Sequence, residues 1–297
     1  MEQPVSFDRK IYRKICYIFR YLLPDKLYIQ LMYKAKMGKK CNLKKPVTYN
    51  EKLNWLKLYD RNDKYTMMAD KYAVREYIMN TIGEEYLIPM LGIWNNVEDI
   101  DINELPKQFV LKCTHDSEST VICKDKESFD WEGVKKKLKK ALQTNYYYGG
   151  REWVYKNITP RIIAEQYMED DLDGELRDYK FFCFDGVPKA MFLATDRAIG
   201  QTKFDYFDVN FNHLDLAQHY PNATQPLRKP VTFDKMLELS AVLSKDIPHV
   251  RVDFYEVNKK IYFGELTFYH FGGFMPFEPE SWDAVFGAWI NIEKFFH

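Results

Sequence analysis

Long apolar runs are missing from this 297-residue sequence, which excludes a bilayer-spanning helix. Cysteine is scarce. The five residues, at 16, 41, 113, 123 and 183, are odd in number and lack metal-ligand spacing. They argue against a disulfide scaffold or a zinc site and for a reducing compartment. No apolar stretch followed by small residues opens the chain, so no signal peptide is expected and the protein reads as cytoplasmic. Internal repeats and low-complexity linkers are absent as well. Basic residues are concentrated at one end and no recognition motif accompanies them, so nucleic-acid binding is not expected.

What is present points to a globular chain with a proper core: 46% of residues are hydrophobic and 16% aromatic. The formal net charge of +0 hides an asymmetry, because residues 1–45 carry 12 Lys/Arg against 3 Asp/Glu and the remainder is acidic to the same extent. The basic stretch mixes aromatic and aliphatic side chains with cations at near-helical spacing, and Pro24 with Asp25 marks the start of a second helix. Two readings stay open for it. It can lie on an anionic membrane surface or an acidic polymer, or it can be a helical pair packed on the main domain with a solvated basic face.

Further along, "TYNEKLNWLKLYDRN" reads as a helix capped by Thr48 with Glu51 three residues on. "MADKYAVREYIMNTIG" reads as another, ended by Gly83, and "SFDWEGVKKKLKKALQTNYYY" as a third, started by Ser128. Strands are expected in "YLIPMLGIW", "QFVLKCTH", "STVICKD", "RIIAEQYM" and "KFDYFDVNFNHL", with a hairpin turning at Asp185–Gly186. Helices are expected in "TFDKMLELSAVLSKDI" and "SWDAVFGAWINIEKFF". The expected class is α+β, with mainly antiparallel sheets in two lobes that meet near residue 166 and a ligand cleft between them.

Several residues sit where chemistry is possible. Lys112 interrupts the apolar strand "FVLKCTH", and lysine is rarely buried without a partner. The loop after it, "THDSEST", offers small polar residues and backbone N–H groups that could fold over phosphate oxygens, although a strand lysine facing solvent between the lobes is the alternative. Lys180 alternates with Phe182 and Phe184, so it faces a core or a cleft and needs an anion. Glu165 and Gln166 end an apolar strand between the lobes. A second hairpin, "VRVDFYEVNKKIYFGELTFYH", with a loop at Asn258 to Lys260, sets Arg251 opposite Thr267 and Asp253 opposite Glu265. Like charges directly opposite on one sheet face cost up to roughly 1 kcal/mol, and a shared cation such as Mg²⁺ removes that cost.

In this order the segments "ADKYAVREYI", "FVLKCTHDS", "RIIAEQYM", "LRDYKFFCFDG" and "VRVDFYEVNKKIYFGELTFYHFGG" resemble the TupA-like branch of the ATP-grasp superfamily, over roughly residues 45–290. The resemblance implies an ATP-grasp fold in four parts. These are a basic amphipathic segment (1–45), an N-terminal helical linking region (46–105), lobe A (106–165) and lobe B with the metal site (166–297). It implies ATP and Mg²⁺ as cofactors. Lys112, Lys180 and Ser117 would approach the nucleotide phosphates, Lys71 would either approach the nucleotide or merely cap the domain, and Glu165 with Gln166, Tyr167 and Met168 would meet the adenine edge. Asp253, Glu265 and Thr267 would hold metal, and Arg251 with Lys180 would act on the transferred phosphoryl group. Two departures stand out: Thr267 occupies a place that is usually Asn, and the loop after Lys112 has no glycine, so its hold on the phosphates would use side chains such as Ser117 and Ser119 or a different backbone path.

The implied reaction is carboxylate activation as an acyl phosphate followed by attack of an amine, in bacterial surface-polysaccharide synthesis. A uronic carboxylate, an amino acid or other amine, and a lipid-linked acidic polysaccharide are the expected partners, with the basic end touching the inner membrane face. "HFGG", His270 to Gly273, reads either as a plain turn or as backbone open to the acceptor. A rival reading is a glycosyltransferase using a nucleotide-sugar at Asp99/Asp101 or Asp171/Asp173. Another is a non-catalytic carbohydrate-binding protein rich in Tyr and Trp.

Overall fold

The computed structural model describes residues 7–170, 176–196 and 200–295. Helices α1 (Phe7–Ile18) and α2 (Asp25–Met37) come first, with α2 beginning directly after Pro24. α2 buries Tyr28, Ile29, Tyr33 and Ala35, so the packed reading holds for this helix. α1 lies on α2, with Arg9 Nε donating to the Ala35 carbonyl at 3.0 Å. Helix α3 (Tyr49–Tyr59) starts as expected. The Thr48 hydroxyl accepts from the Glu51 amide, and the Glu51 carboxylate accepts from the Thr48 amide.

The expected helix over residues 68–83 is two helices, α4 (Asp63–Ala69) and α5 (Val74–Thr81). Asp70 breaks it. Its Oδ1 accepts from the Tyr72 amide at 2.8 Å in the turn that separates the two helices. Strands β1 (Met90–Trp94), β2 (Phe109–Cys113) and β3 (Val121–Cys123) follow. Helix α6 (Trp131–Leu142) begins three residues later than the Ser128 start expected from sequence. Its cap is Asp130, which accepts from the Gly133 amide at 2.9 Å, while Ser128 bonds Asp125 instead. A short turn, α7 (Tyr147–Gly150), replaces the expected continuation. Then come β4 (Ile162–Gln166), β5 (Asp178–Phe184), β6 (Val187–Thr195), β7 (Lys203–Asp208), α8 (Phe233–Leu243), β8 (Val250–Val257), β9 (Lys260–Thr267) and α9 (Ser281–Trp289).

These strands make two antiparallel sheets among the described residues, ordered β1-β4-β2-β3 and β7-β6-β5-β8-β9. The first packs Leu111, Ile162 and Ala164 against Val134 and Leu138 of α6. The second shares one larger core with Ile29, Leu53 and Ile78 of the N-terminal helices and with α8 and α9. The fold class is therefore the α+β, two-sheet arrangement read from the sequence.

The β5–β6 and β8–β9 hairpins of the second sheet turn on two residues with positive φ: Asp185 (51°) with Gly186 (81°), and Asn258 (51°) with Lys259 (63°). This is the turn whose twist suits tight hairpins. At β8–β9 the expected loop is three residues and the observed loop is two, which shifts the register by one near the turn. A bulge then restores it. Phe254 pairs with Phe263, Asp253 pairs with Glu265, and Gly264 is the extra residue. A Cβ on Gly264 would sit 3.1 Å from the Asp253 carbonyl oxygen, so glycine suits the bulge. Arg251 thus faces Thr267 and Asp253 faces Glu265, as the alternation requires.

Candidate functional site

The face of β5, β8 and β9 carries a compact cluster of charge. Asp253 is 1% exposed, and both its oxygens meet cations. Arg251 forks onto it, Nε to Oδ1 and Nη2 to Oδ2, each at 2.7 Å. Lys180, its neighbour on β5, places its ammonium 2.5 Å from Oδ2 and 2.6 Å from Asp178 Oδ2. Arg251 Nη2 also reaches Glu265 Oε1 at 3.1 Å and the Thr267 hydroxyl at 3.0 Å. The like-charge pair Asp253–Glu265 is therefore bridged by a guanidinium. Burial works against the charge on Arg251, but Asp253 and Glu265 outweigh it and hold the pKa above the usual value.

His270 completes the arrangement. Its Nδ1 accepts from Arg251 Nη1 at 2.8 Å, and its Nε2 lies 2.8 Å from Gln218 Oε1. Burial, Arg251 and Lys180 push this imidazole well below its ordinary range, so it is neutral with its proton on Nε2. His270 orients the guanidinium from behind. "HFGG" is a tight turn whose Phe271, Gly272 and Gly273 all have positive φ.

Glu265 is the carboxylate of this group that opens to solvent space, with its side chain 31% exposed. Burial raises its pKa, yet Lys71, Lys180 and Arg251 together prevail and hold it at about 2. With Lys180, Arg251 and Thr267 it lines a cavity of about 1220 Å³ that Arg13, Arg20 and Tyr28 of the N-terminal segment also line. Asp253 does not line it. No group of three or more His, Cys, Asp or Glu converges as a metal cage among the described residues. Of the β5, β8 and β9 cluster, one carboxylate and one hydroxyl, those of Glu265 and Thr267, face the cavity. These are hard oxygen donors, which fits Mg²⁺ that keeps most of its shell for phosphates and water.

In the first sheet, Lys112 places its ammonium 2.6 Å from Glu165 Oε2, and Arg75 Nη1 lies 3.7 Å from Oε1. Glu165 is thus held between two cations at the end of β4. Lys71 turns its ammonium onto the Asp116 carbonyl, and Asp116 lies in the loop after Lys112. Burial lowers the Lys71 pKa, and Glu265 across the gap opposes that. Ser117 is exposed and lines the large cavity. Ser119 is buried and spent on the loop itself, bonding Asp116 Oδ1 at 2.6 Å and the Cys113 amide at 2.7 Å. Gln166, Tyr167 and Met168 line a smaller cleft of about 260 Å³ with the β8–β9 turn.

Sequence reasoning missed Asp178, Arg75, Asp116, Gln218 and the side chain of His270. Asp178 was findable, because it lies two residues from Lys180 on the same strand face. Gln218 carries no local signal. Asp99 and Asp101 are exposed and border neither cavity, and Asp171 and Asp173 lie outside the described residues.

A model of the family described as TupA-like ATPgrasp matches residues 51–291. The chain belongs to this family. The matched span holds every residue placed above in the two sheets and excludes α1 and α2. No curated protein matches the chain. Among solved structures, the chain is similar to D-alanine–D-alanine ligase from Bacillus anthracis, at 16% identity with a TM-score of 0.39. That match covers 68% of this chain and 57% of the ligase, so the chain spans little more than half the ligase's length. It is also similar to a RimK domain ATP-grasp protein from Sphaerobacter thermophilus, at 8% identity and a TM-score of 0.41, covering 78% of this chain and 70% of the other. D-cycloserine synthetase DcsG matches at 12% identity and a TM-score of 0.35, over 68% and 62% of the two chains.

Proposed function

We propose that this TupA-like ATP-grasp protein is an ATP-dependent carboxylate–amine ligase that works through an acyl phosphate. The carrying observation is the Lys180–Arg251 pair, held rigid by Asp253 and Asp178 and presented to a large cavity beside Glu265. Such a pair suits the charge that spreads over a transferring phosphoryl group. Lys112, on β2, and Lys71, between α4 and α5, would exchange their present partners for the nucleotide phosphates. Glu165, with backbone at Gln166 to Met168, would meet the adenine edge. Glu265 and Thr267 would hold Mg²⁺, which supplies neutralisation of the phosphate charge when bound. Asp253 serves the site by fixing its two cations.

The acid fits a uronic carboxylate and the nucleophile an amino acid or other amine, on an acidic, lipid-linked surface polysaccharide. The cationic wall of Arg13, Arg20 and Lys36 on the large cavity favours an acidic acceptor. Thermal unfolding with ATP, ADP and UDP, each with and without Mg²⁺, tests the reading. Mg²⁺–ATP at a hundredfold excess over its Kd should add about 2.7 kcal/mol of stability, and Lys180→Ala should abolish the shift. A shift with UDP alone would favour nucleotide-sugar chemistry and sink the ligase.

No helix among the described residues is long and apolar enough to cross a membrane. The end of α1 and the turn after it leave Tyr17 70%, Tyr21 62% and Leu22 79% exposed, beside Lys14 and Arg20. Apolar tips among cations are the composition of a peripheral contact with anionic lipid. In vesicle flotation, binding to phosphatidylserine-containing vesicles should fall at least about tenfold in a Tyr17→Glu/Leu22→Glu variant. Equal binding by the two proteins would remove the membrane from the picture.

A further inference from the structure

Glu152 stands in the wall of the large cavity, and the chemistry above gives it no task. It follows Arg151, a buried residue at φ 58° whose guanidinium donates to the Arg20 and Leu23 carbonyls at 2.6 and 2.9 Å. The chain around Glu152 is therefore anchored. Its side chain is 8% exposed and lines the cavity, and its carboxylate makes no hydrogen bond or ion pair with any described residue. One oxygen rests against two glycines: a Cβ would stand 2.9 Å from it on Gly150 and 3.3 Å from it on Gly272. Lys57, fully buried, donates to the carbonyls of the same two glycines, at 2.8 Å to Gly150 and 2.5 Å to Gly272. The seat of Glu152 is thus fixed by a cation that does not touch its carboxylate.

A largely buried carboxylate that takes no donor from the described residues and opens to a cavity is placed to meet a ligand there. Burial pushes the Glu152 pKa up, Lys57 opposes this and Glu265 adds to it. The phenols of Tyr146, Tyr155 and Tyr269 complete the titratable groups that feel it. The ligand that answers a carboxylate facing a cavity is a cation bearing N–H groups. The charged groups that line the cavity then sort the substrates by charge. Lys180 and Arg251 attract an anionic carboxylate, which Glu152 repels, and a primary ammonium has the opposite preference.

We propose that Glu152 receives the acceptor ammonium and takes its proton during ligation, an inference that rests on the ligase reading above. The ammonium passes one proton to the Glu152 carboxylate, which frees the nitrogen lone pair. That nitrogen attacks the acyl carbon of the acyl phosphate. The C–N bond forms as the C–O bond to phosphate breaks, and the second nitrogen proton leaves with the phosphate. Gly272, against which the carboxylate rests, belongs to "HFGG". A side chain there would press on Glu152, which accounts for one glycine of that motif.

Hydroxylamine separates base catalysis from activation, because it is an uncharged nucleophile at neutral pH and needs no deprotonation before attack. Wild type, Glu152→Gln and Glu152→Asp would each be given Mg²⁺–ATP, glucuronic acid and either hydroxylamine or a mixture of amino acids. The expected result is a ratio of amide to hydroxamate at least about 100-fold lower in Glu152→Gln, the usual scale of a positioned base. Glu152→Asp should recover part of it and shift the pH profile of amide formation. A ratio within about threefold of wild type in Glu152→Gln would overturn the role of Glu152 alone. Wild-type enzyme that makes hydroxamate but no amide would overturn the amine site. Wild-type enzyme that makes no hydroxamate would overturn the uronate ligase reading beneath it.

Discussion

Asp253→Asn should lower turnover on the order of 10²-fold while leaving the Mg²⁺ concentration needed for half-maximal rate within about threefold. Glu265→Gln should do the reverse and raise that requirement by more than about tenfold, the effect of losing one charged ligand. The contrast follows from where each carboxylate points. Asp253 is fully enclosed and takes three donor contacts from Arg251 and Lys180. Glu265 faces the cavity. Removing the Asp253 charge leaves two cations and Lys71 against Asp178 and Glu265, so the pair loses its fixed spacing. The same change breaks a buried ion network, which typically costs about 3–5 kcal/mol. A urea titration read beside the Mg²⁺ titration therefore gives two independent outcomes. An Mg²⁺ requirement raised by Asp253→Asn to the degree seen in Glu265→Gln would return Asp253 to the metal.

How far the site could be read from sequence depended on periodicity. Alternation along Val250 to Thr267 put Arg251, Asp253, Glu265 and Thr267 on one face, and the structure keeps that pairing although it reaches it by a shorter turn and a bulge at Gly264. The order of Lys112, Glu165 and Lys180 along three strands was likewise legible. What alternation cannot give is the direction of a charged side chain once several share a face. Two opposed carboxylates suggested a metal between them. The guanidinium two residues from Asp253 lies closer, since Arg251 reaches its own strand neighbour without any chain closure. Contacts that need distant segments left no trace in the sequence. Gln218 meets His270 across 52 positions, and Lys57 meets Gly150 and Gly272 across 93 and 215. Helix ends failed for a local reason. Asp70 and Asp130 bond the backbone amides two or three residues on, so Asp70 makes a turn inside the expected helix and Asp130 takes the cap expected at Ser128.

Lys57→Met should destabilise the protein by about 3–5 kcal/mol, a large share of the roughly 5–15 kcal/mol that holds a domain together. Lys57 is wholly buried on α3, and its three N–H groups meet three acceptors: Asn54 Oδ1 at 3.1 Å and the carbonyls of Gly150 and Gly272. The ring of Phe274 lies 4.1 Å from the ammonium and adds a cation–π contact. Methionine fills nearly the same volume, so the loss reports on polar contacts and not on a cavity. Two buried carbonyls lose their donor, on the two chain segments that seat Glu152. Amide hydrogen exchange should therefore rise first around residues 147–155 and 270–274 and only later in β5 and β8. Glu152 would also lose the one cation that offsets its burial and the charge of Glu265. Its pKa would climb further, and amide formation would need a higher pH, while hydroxamate formation would not follow. A urea midpoint shifted by less than about 1 kcal/mol would mean that water replaces the ammonium at these carbonyls. The clamp on the two glycine segments would then be dispensable.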